Sequence, residues 1–385
     1  MKILWLAPIP LIDTKDTHPA PWVITLGKAL ITKGHELTIV NNNSSISEDT
    51  VTIMYENIKL IYIKTPKLKL DFLTLYKLKI NTVKKYLKTI VSDYDLLHIH
   101  GTEHQYEAMS EGLNIPKIIS IQGIMGECIK FIPVSRYKQF LEWKLSSYYE
   151  TKYIPKNNHY SCRTHWDSNY IKSKNKNAKV YMIWEMIREE FFSNYFSLKK
   201  ENILFVGGKN KIKGLKELLC AYDSSLQDLG LKLIILGNCS IADVKELIIS
   251  EGLNKINLDK IDCRGMQDSK GMIKAYEESY CLVHPTYIDN SPNSVCEAQI
   301  SGLPVIATDV GGVSSLIEHE KTGLLIDRTS QSIENAVKRL ISNDELHHSI
   351  SLQSRKVARK RHNPETILEQ TIIMYETVID EKNAV

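Results

Sequence analysis

The sequence predicts an α/β protein of two doubly wound parallel-sheet domains, and three observations carry that expectation. The chain has 385 residues, beyond the roughly 250–300 at which single hydrophobic cores divide. It opens on an apolar strand, an amphipathic helix and a second apolar strand, the start of a βαβ unit with parallel strands and a right-handed crossover. The same pattern starts afresh at Asn202 with "NILFVGG".

In the first half, "KILWLA" is a short buried strand. "PWVITLGKALITKG" follows with apolar residues at helical spacing, Pro21 suited to the first turn and Gly34 to the C-cap. "HELTIV", "DLLHIH" and "PKIISIQ" continue the strands, so residues 1–185 form one Rossmann-like domain. Residues 186–201, with "FFSNYFSLKKEN", read as an irregular linker.

The second domain is assigned to residues 202–362. After "NILFVGG" come a helical stretch, "GLKELLCAYDSS", and the strands "LKLIILG", "YCLVHP", "LPVIATD" and "TGLLID". Residues 363–385 form a terminal helix whose apolar face, Ile367, Thr371, Met374 and Val378, needs a partner and is expected to pack back on the first domain. Open sheets of this kind bind ligands beyond the carboxyl ends of their strands, here around a shared cleft.

Composition narrows the function. Hydrophobic residues make up 43% and charged residues 24%, a soluble balance, and no apolar run is long enough to span a bilayer. The first residues run straight from a strand into a proline-bearing loop rather than through a secretory h-region. Seven cysteines, odd in number and never spaced C-x-x-C, fit reduced thiols and a cytoplasmic protein. A net charge of +4, without a basic stripe interleaved with aromatics, argues against nucleic acid.

Three features of the second domain converge on an anionic ligand. "FVGGKNKIKGL" is a glycine-bearing strand-to-helix loop with Lys209, Lys211 and Lys213, and backbone amides with lysines suit a phosphate or pyrophosphate. It is neither G-x-G-x-x-G nor a P-loop; its plainer reading is an exposed basic turn. A helix starting after Asn293, with Asn293 as N-cap, Glu297 in its first turn and Gly302 beyond its end, presents a positive dipole. Asp289 and Glu297 bracket that start, and both could be merely a turn former and a dipole complement. Gly311-Gly312 forms a third strand-end loop able to approach a ligand, or simply a hairpin turn.

The stretch "DNSPNSVCEA", followed by "SGLPVIATDVGG", resembles the nucleotide-sugar site of the retaining family 4 glycosyltransferases. These are two-domain GT-B enzymes with the signature E-x7-E, a G-x-P-V-[IV]-A-[TS] strand and a Gly-Gly turn. "MKILWLAP", "KGHELTIV", "LLHIHGTE", "IISIQG", "CRTHWDSNYI" and "HNPETILEQ" fall in the family's order, so the likeness covers most of the chain. It implies a GT-B fold with an acceptor-side first domain and a donor-binding second domain.

By that resemblance Glu297 matches the Glu that bonds the nucleotide ribose, and Asp289 stands, one methylene shorter, where the family's Glu contacts the transferred sugar. The backbone of Asn293, Ser294 and Val295 matches the segment that holds sugar and phosphate. Lys213 matches the diphosphate lysine, and with Asp289 and Glu297 completes the candidate catalytic set. Gly207 and Gly208 line the same loop; Gly208 replaces the family's arginine, leaving Lys209 or Lys211 to compensate. Arg264 and Met266 fall in the stretch whose backbone reads the base. On the acceptor side are Gln122, in place of the family's histidine, with Gly123 and His100.

The resemblance further implies retention of configuration, with the leaving phosphate taking the acceptor proton, and neither cofactor nor metal. His98, His100 and His104 could suggest a metal site, but no carboxylate completes a ligand set. Arg163, Trp166 and Asp167 in "CRTHWD" suit an interdomain contact or a fold-supporting Arg–Asp pair. The expected partners are a nucleotide sugar, UDP- before GDP-, and a glycan or lipid-linked glycan of bacterial surface polysaccharide synthesis. Lys64 to Lys88 contains eight lysines and one acid, Asp71. It is either a solvated helix face or a patch for an anionic membrane surface, which would place the enzyme peripherally on the inner face of the cytoplasmic membrane. Alternatives are a nucleotide-sugar binder without turnover and a sugar-nucleotide epimerase on the same fold.

Overall fold

The computed structural model describes residues 1–11, 20–133, 136–192 and 201–383. The chain divides into two compact units, Met1–Met186 with Pro364–Val385, and Ile187–Asn363. No helix among the described residues is long and apolar enough to cross a membrane.

The first unit is built on β1 (Lys2–Leu6), β2 (Glu36–Asn43), β3 (Thr50–Tyr55), β4 (Ile58–Lys64), β5 (Leu96–His100), β6 (Lys117–Ser120), β7 (His159–Cys162) and β8 (Lys179–Met182). They form one sheet in the order β3-β4-β2-β1-β5-β6-β7-β8, parallel except where β3 meets β4. That antiparallel edge, turned by Glu56 and Asn57 at φ 51° and 62°, is an element the sequence reading did not separate; two left-handed central residues match a tight hairpin. Period-2 alternation divides β1 between two cores. Ile3 and Trp5 join one cluster, Leu4 and Leu6 the other.

The terminal helix Pro364–Asn383 belongs to this unit. Its Ile367, Thr371, Met374 and Val378 are buried, and Trp5 Nε1 donates to Tyr375 Oη at 3.2 Å. The "CRTHWD" segment ends β7 and starts the helix His165–Lys174, where Thr164 and Asp167 form a reciprocal capping box. Arg163 pairs with Glu185, so the expected Arg–Asp pair is instead a cap beside an ion pair, both within this unit.

After β1 comes α1 (Pro21–Thr32), and the lysine-rich stretch folds as α2 (Leu68–Leu73) and α3 (Lys77–Ile90). Ile80, Val83 and Leu87 give α3 its buried stripe.

The second unit holds β9 (Asn202–Val206), β10 (Lys232–Leu236), β11 (Ile261–Gly265), β12 (Cys281–His284), β13 (Val305–Thr308) and β14 (Leu324–Ile326). All are parallel, in the order β11-β10-β9-β12-β13-β14. The order in which strands are added reverses between β9 and β12, so their carboxyl ends flank the switch-point crevice where ligands of such sheets bind. The segment read as a linker is partly structural. Ile187 opens the unit and Phe191 is fully buried, while residues 193–200 of it lie outside the described residues.

Candidate functional site

At the exit of β9, Gly208 adopts φ +56° and a Cβ there would stand 2.6 Å from the Asn238 amide. Gly207 and Gly208 both donate to Leu236 O, at 3.0 and 2.9 Å. The loops after β9 and β10 thus touch backbone to backbone, which leaves no room for the family's arginine at 208. Lys209, expected to compensate, turns instead to Asp243 at 2.9 Å, and Lys211 is exposed.

Lys213 is positioned by its neighbours. Gly214 lies so close to Pro285 that a Cβ would meet the carbonyl oxygen at 2.0 Å, and the Tyr287 amide donates to Ile212 O at 2.7 Å. Pinned against the exit of β12, Lys213 Nζ reaches Asp289 Oδ2 at 2.5 Å. His284 Nε2 stands 3.3 Å from the same oxygen. Burial disfavours the Asp289 carboxylate, but Lys213 and His284 outweigh it and hold Asp289 well below the usual carboxylate range. Burial, reinforced by Lys213, holds the His284 pKa down against the pull of Asp289.

The Gly-Gly loop after β13 clasps the same residue. Gly312 N donates to Asp289 O at 2.9 Å, and a Cβ on Gly311, at φ +56°, would sit 2.2 Å from that oxygen. Asp289 is therefore fixed through main chain and side chain, next to the helix Asn293–Ser301.

That helix departs from expectation in two details. Pro292 is its N-cap, with no side-chain cap, and Asn293 is its first helical residue; the ring's fixed φ suits the entry without a hydroxyl or amide cap. Glu297 lies past the first turn. It is buried and accepts from Arg188 Nη2 at 2.9 Å and Tyr276 Oη at 3.0 Å. Burial raises the Glu297 pKa, with Arg188 opposing. Arg188, Tyr276 and His284 are site residues that sequence reasoning missed. Arg188 meets Glu297 across 109 positions of chain, which no local pattern reports; His284, directly before "PTY" at a strand end, had a usable signal.

Beyond β11, Arg264 is engaged by Asp262 at 2.7 Å and Glu278 at 2.6 Å, and Met266 is exposed. Only the backbone of this stretch remains for a base.

The acceptor-side candidates lie at the carboxyl edge of the first sheet. His100 ends β5, packs on Trp5 at 4.4 Å, and has its Nε2 buried without a hydrogen-bond partner among the described residues, as does Gln122 Nε2. Burial and the neighbouring His98 and Arg163 keep His100 well below the usual imidazole range. Gly123 adjoins Glu103, whose Oε1 would lie 3.1 Å from a Cβ on that glycine. Burial, with Glu150 adding, raises Glu103 to about 7 against bonds from its own amide and that of Gly123. Glu103 is a further residue the sequence reading overlooked. His98, by contrast, is structural, its nitrogens 2.6 Å from Tyr375 Oη and 2.6 Å from Ser120 Oγ.

Residues 186–357 match the family model described as Glycosyl transferases group 1. An uncharacterized glycosyltransferase of Methanocaldococcus jannaschii is 23% identical over 92% of this chain and 93% of its own. The capsular polysaccharide biosynthesis glycosyltransferase CapM of Staphylococcus aureus is 24% identical over 49% of each. Among solved structures, sucrose-phosphate synthase from Thermosynechococcus elongatus superposes with TM-score 0.79 at 17% identity, covering 99% of this chain and 100% of that one. HepE of Anabaena in complex with UDP gives 0.68 at 15%, covering 98% and 100%. The chain has the GT-B fold of those structures. Its second unit carries the group 1 glycosyl transferase match.

Proposed function

We propose that the protein is a glycosyltransferase that moves a hexose-type sugar from a UDP-sugar to a growing, lipid-linked glycan of a bacterial surface polysaccharide, with retention of anomeric configuration. The observation that carries the donor half is the Lys213–Asp289–His284 cluster at the β9/β12 switch point, beside the start of the Asn293–Ser301 helix. Structures of HepE with UDP and with UDP-glucose support the choice of base, and the likeness to CapM supports the polysaccharide.

In this reading the bond between the anomeric carbon and the diphosphate breaks, and negative charge grows on the leaving oxygen. Lys213 and the amides of Asn293 and Ser294 meet that charge, the electrostatic contribution that usually dominates such catalysis; the Val295 amide, also expected there, donates instead to Pro292 O at 3.0 Å. No metal ion or other cofactor is needed for it, so a chelator should leave the rate unchanged. The acceptor hydroxyl bonds to the same face of the anomeric carbon and passes its proton to the leaving phosphate oxygen. Asp289 touches the sugar, Glu297 holds the ribose, and Gly207, Gly208 and the backbone of Arg264 and Met266 line phosphate and base. Gln122, Gly123 and His100 meet the sugar or acceptor. In this reading the enzyme works at the cytoplasmic face of the membrane, which the free cysteines and the proposed lipid-linked acceptor support.

The test is a panel of UDP- and GDP-sugars scored for nucleotide release with and without membrane lipid extract. Lipid-dependent turnover of a UDP-sugar is the expected result; binding without turnover across the panel would overturn the reading in favour of a nucleotide-sugar binder.

A further inference from the structure

The lysine-rich stretch divides, in the structure, into residues that are occupied and residues that are displayed. Lys79 is buried against Asp71 at 3.6 Å, donates to Gln105 Oε1 at 2.8 Å, and lies 4.2 Å from the centre of the Tyr76 ring. Lys84 pairs with Glu111 at 3.2 Å. These lysines hold the fold together and are unavailable to a partner, contrary to a purely electrostatic reading of the segment. What the segment displays is apolar: Leu68, Leu70, Leu73, Leu75 and Leu78 are between 42% and 72% exposed. Lys67, Lys69 and Lys77, all exposed, alternate with them.

A cluster of solvent-facing leucines is unusual on a soluble protein and marks an interaction surface. This one is held rigidly. Leu75 and Tyr76 take left-handed φ of 52° and 60°, costly for bulky residues. The turn is kept by Tyr76 N donating to Asp71 O at 2.8 Å and Tyr149 Oη donating to Leu75 O at 2.6 Å. Tyr149 belongs to the helix Tyr137–Tyr153, whose own Tyr137, Leu141 and Tyr148 are also exposed. Because α2 follows the carboxyl end of β4, the surface sits at the sheet edge that carries His100 and Gln122, the acceptor-side residues.

We infer that the α2–α3 hairpin is a membrane-docking surface, with its leucines entering the headgroup boundary of an anionic bilayer and Lys67, Lys69 and Lys77 meeting lipid phosphates. Charge complementarity selects this occupant: apolar side chains ringed by lysines, with the only acid of the segment, Asp71, buried, match an amphipathic interfacial element. The inference rests on the lipid-linked acceptor reading for its purpose, since it brings such an acceptor to the catalytic edge, but not for its evidence.

The experiment is flotation of the full chain with phosphatidylcholine vesicles, with and without phosphatidylglycerol, at low and high salt. The wild type should float with the anionic vesicles. Leu70→Ser with Leu73→Ser should weaken this by ~tenfold or more, and Lys67→Gln with Lys69→Gln and Lys77→Gln by ~tenfold or more together with loss of salt sensitivity. Undiminished flotation of the leucine variant, no flotation of the wild type, or a wild-type dimer that the leucine variant dissociates would overturn the proposal, the last by showing a second copy as occupant. UDP binding, measured on every variant, keeps the questions apart. Vesicle binding without UDP binding sinks the donor reading alone, and UDP binding without vesicle binding sinks only the docking surface.

Discussion

Arg188 Nη2 lies 2.9 Å from Glu297 Oε1, with Tyr276 Oη on the other carboxylate oxygen at 3.0 Å. The residue matched to the ribose anchor is therefore held by a cation from a segment that composition marks as linker. Removing one partner of a buried pair leaves the other charge uncompensated, at about 3–5 kcal/mol. Arg188→Ala should lower the unfolding free energy by that order and weaken UDP binding, and Glu297→Ala should weaken UDP binding ~tenfold or more. Calorimetry and denaturant melts of both single variants and the double variant check it. Additive losses would mean that the two side chains do not act as one unit.

Lys213 and Asp289 form the second pair, at 2.5 Å. Lys213→Ala should reduce kcat by ~100-fold to 1,000-fold, the range seen when one preorganised charge-stabilising group is lost. Asp289→Glu, one methylene longer, should preserve folding and change donor choice or rate, because Gly311, Gly312 and His284 hold the shorter acid in place. Steady-state kinetics on the donor panel decide both; unchanged kinetics in each variant would remove the pair from the reaction.

Gly208 offers a test of why this chain lacks the family's arginine. Gly208→Arg would restore the cation, but its backbone is left-handed and its Cβ would stand 2.6 Å from the Asn238 amide. The expected outcome is a loss of ~2 kcal/mol or more in stability with no gain in donor affinity. A stable Gly208→Arg protein that binds UDP more tightly would show that the loop adapts.

Buried His98 gives a pH signature. Burial, with Arg163 adding, lowers its pKa from 6.5 to about 3, so below 6.5 the unfolded chain binds a proton that the folded one refuses. Its stabilising hydrogen bonds to Tyr375 and Ser120 are thus fully effective above pH 6.5 and are offset progressively as pH falls toward 3. Measured against His98→Gln, the wild-type advantage should shrink by about 1.4 kcal/mol per pH unit below 6.5. A gap that stays constant from pH 7.5 to 5 would show that folded His98 takes up its proton as readily as the unfolded chain does.

Legibility in the sequence followed range. The strands and helices around β1, β2, β5, β6, β9, β12 and β13, the glycine loops, and the Asp289–Glu297 spacing were readable because period-2 and period-3.6 patterns and turn residues act locally. The Lys209–Asp243 pair was not legible because Asp243 lies in another element. Asn293 was mistaken for an N-cap because Pro292 fills that position without any side-chain bond.

The sequence by itself determined two α/β sheets built mainly of parallel strands, which residues end many of those strands, and which of those strand ends carry charge. Only tertiary structure decided how the charges are shared: Lys213 with Asp289 and His284, Arg188 with Glu297, Lys79 with Asp71, and leucines rather than lysines as the prominent feature of α2. The reason is physical. Hydrophobic periodicity is a property of neighbouring residues, whereas the sign and strength of a buried ion pair depend on which distant side chains the folded backbone brings within about 4 Å.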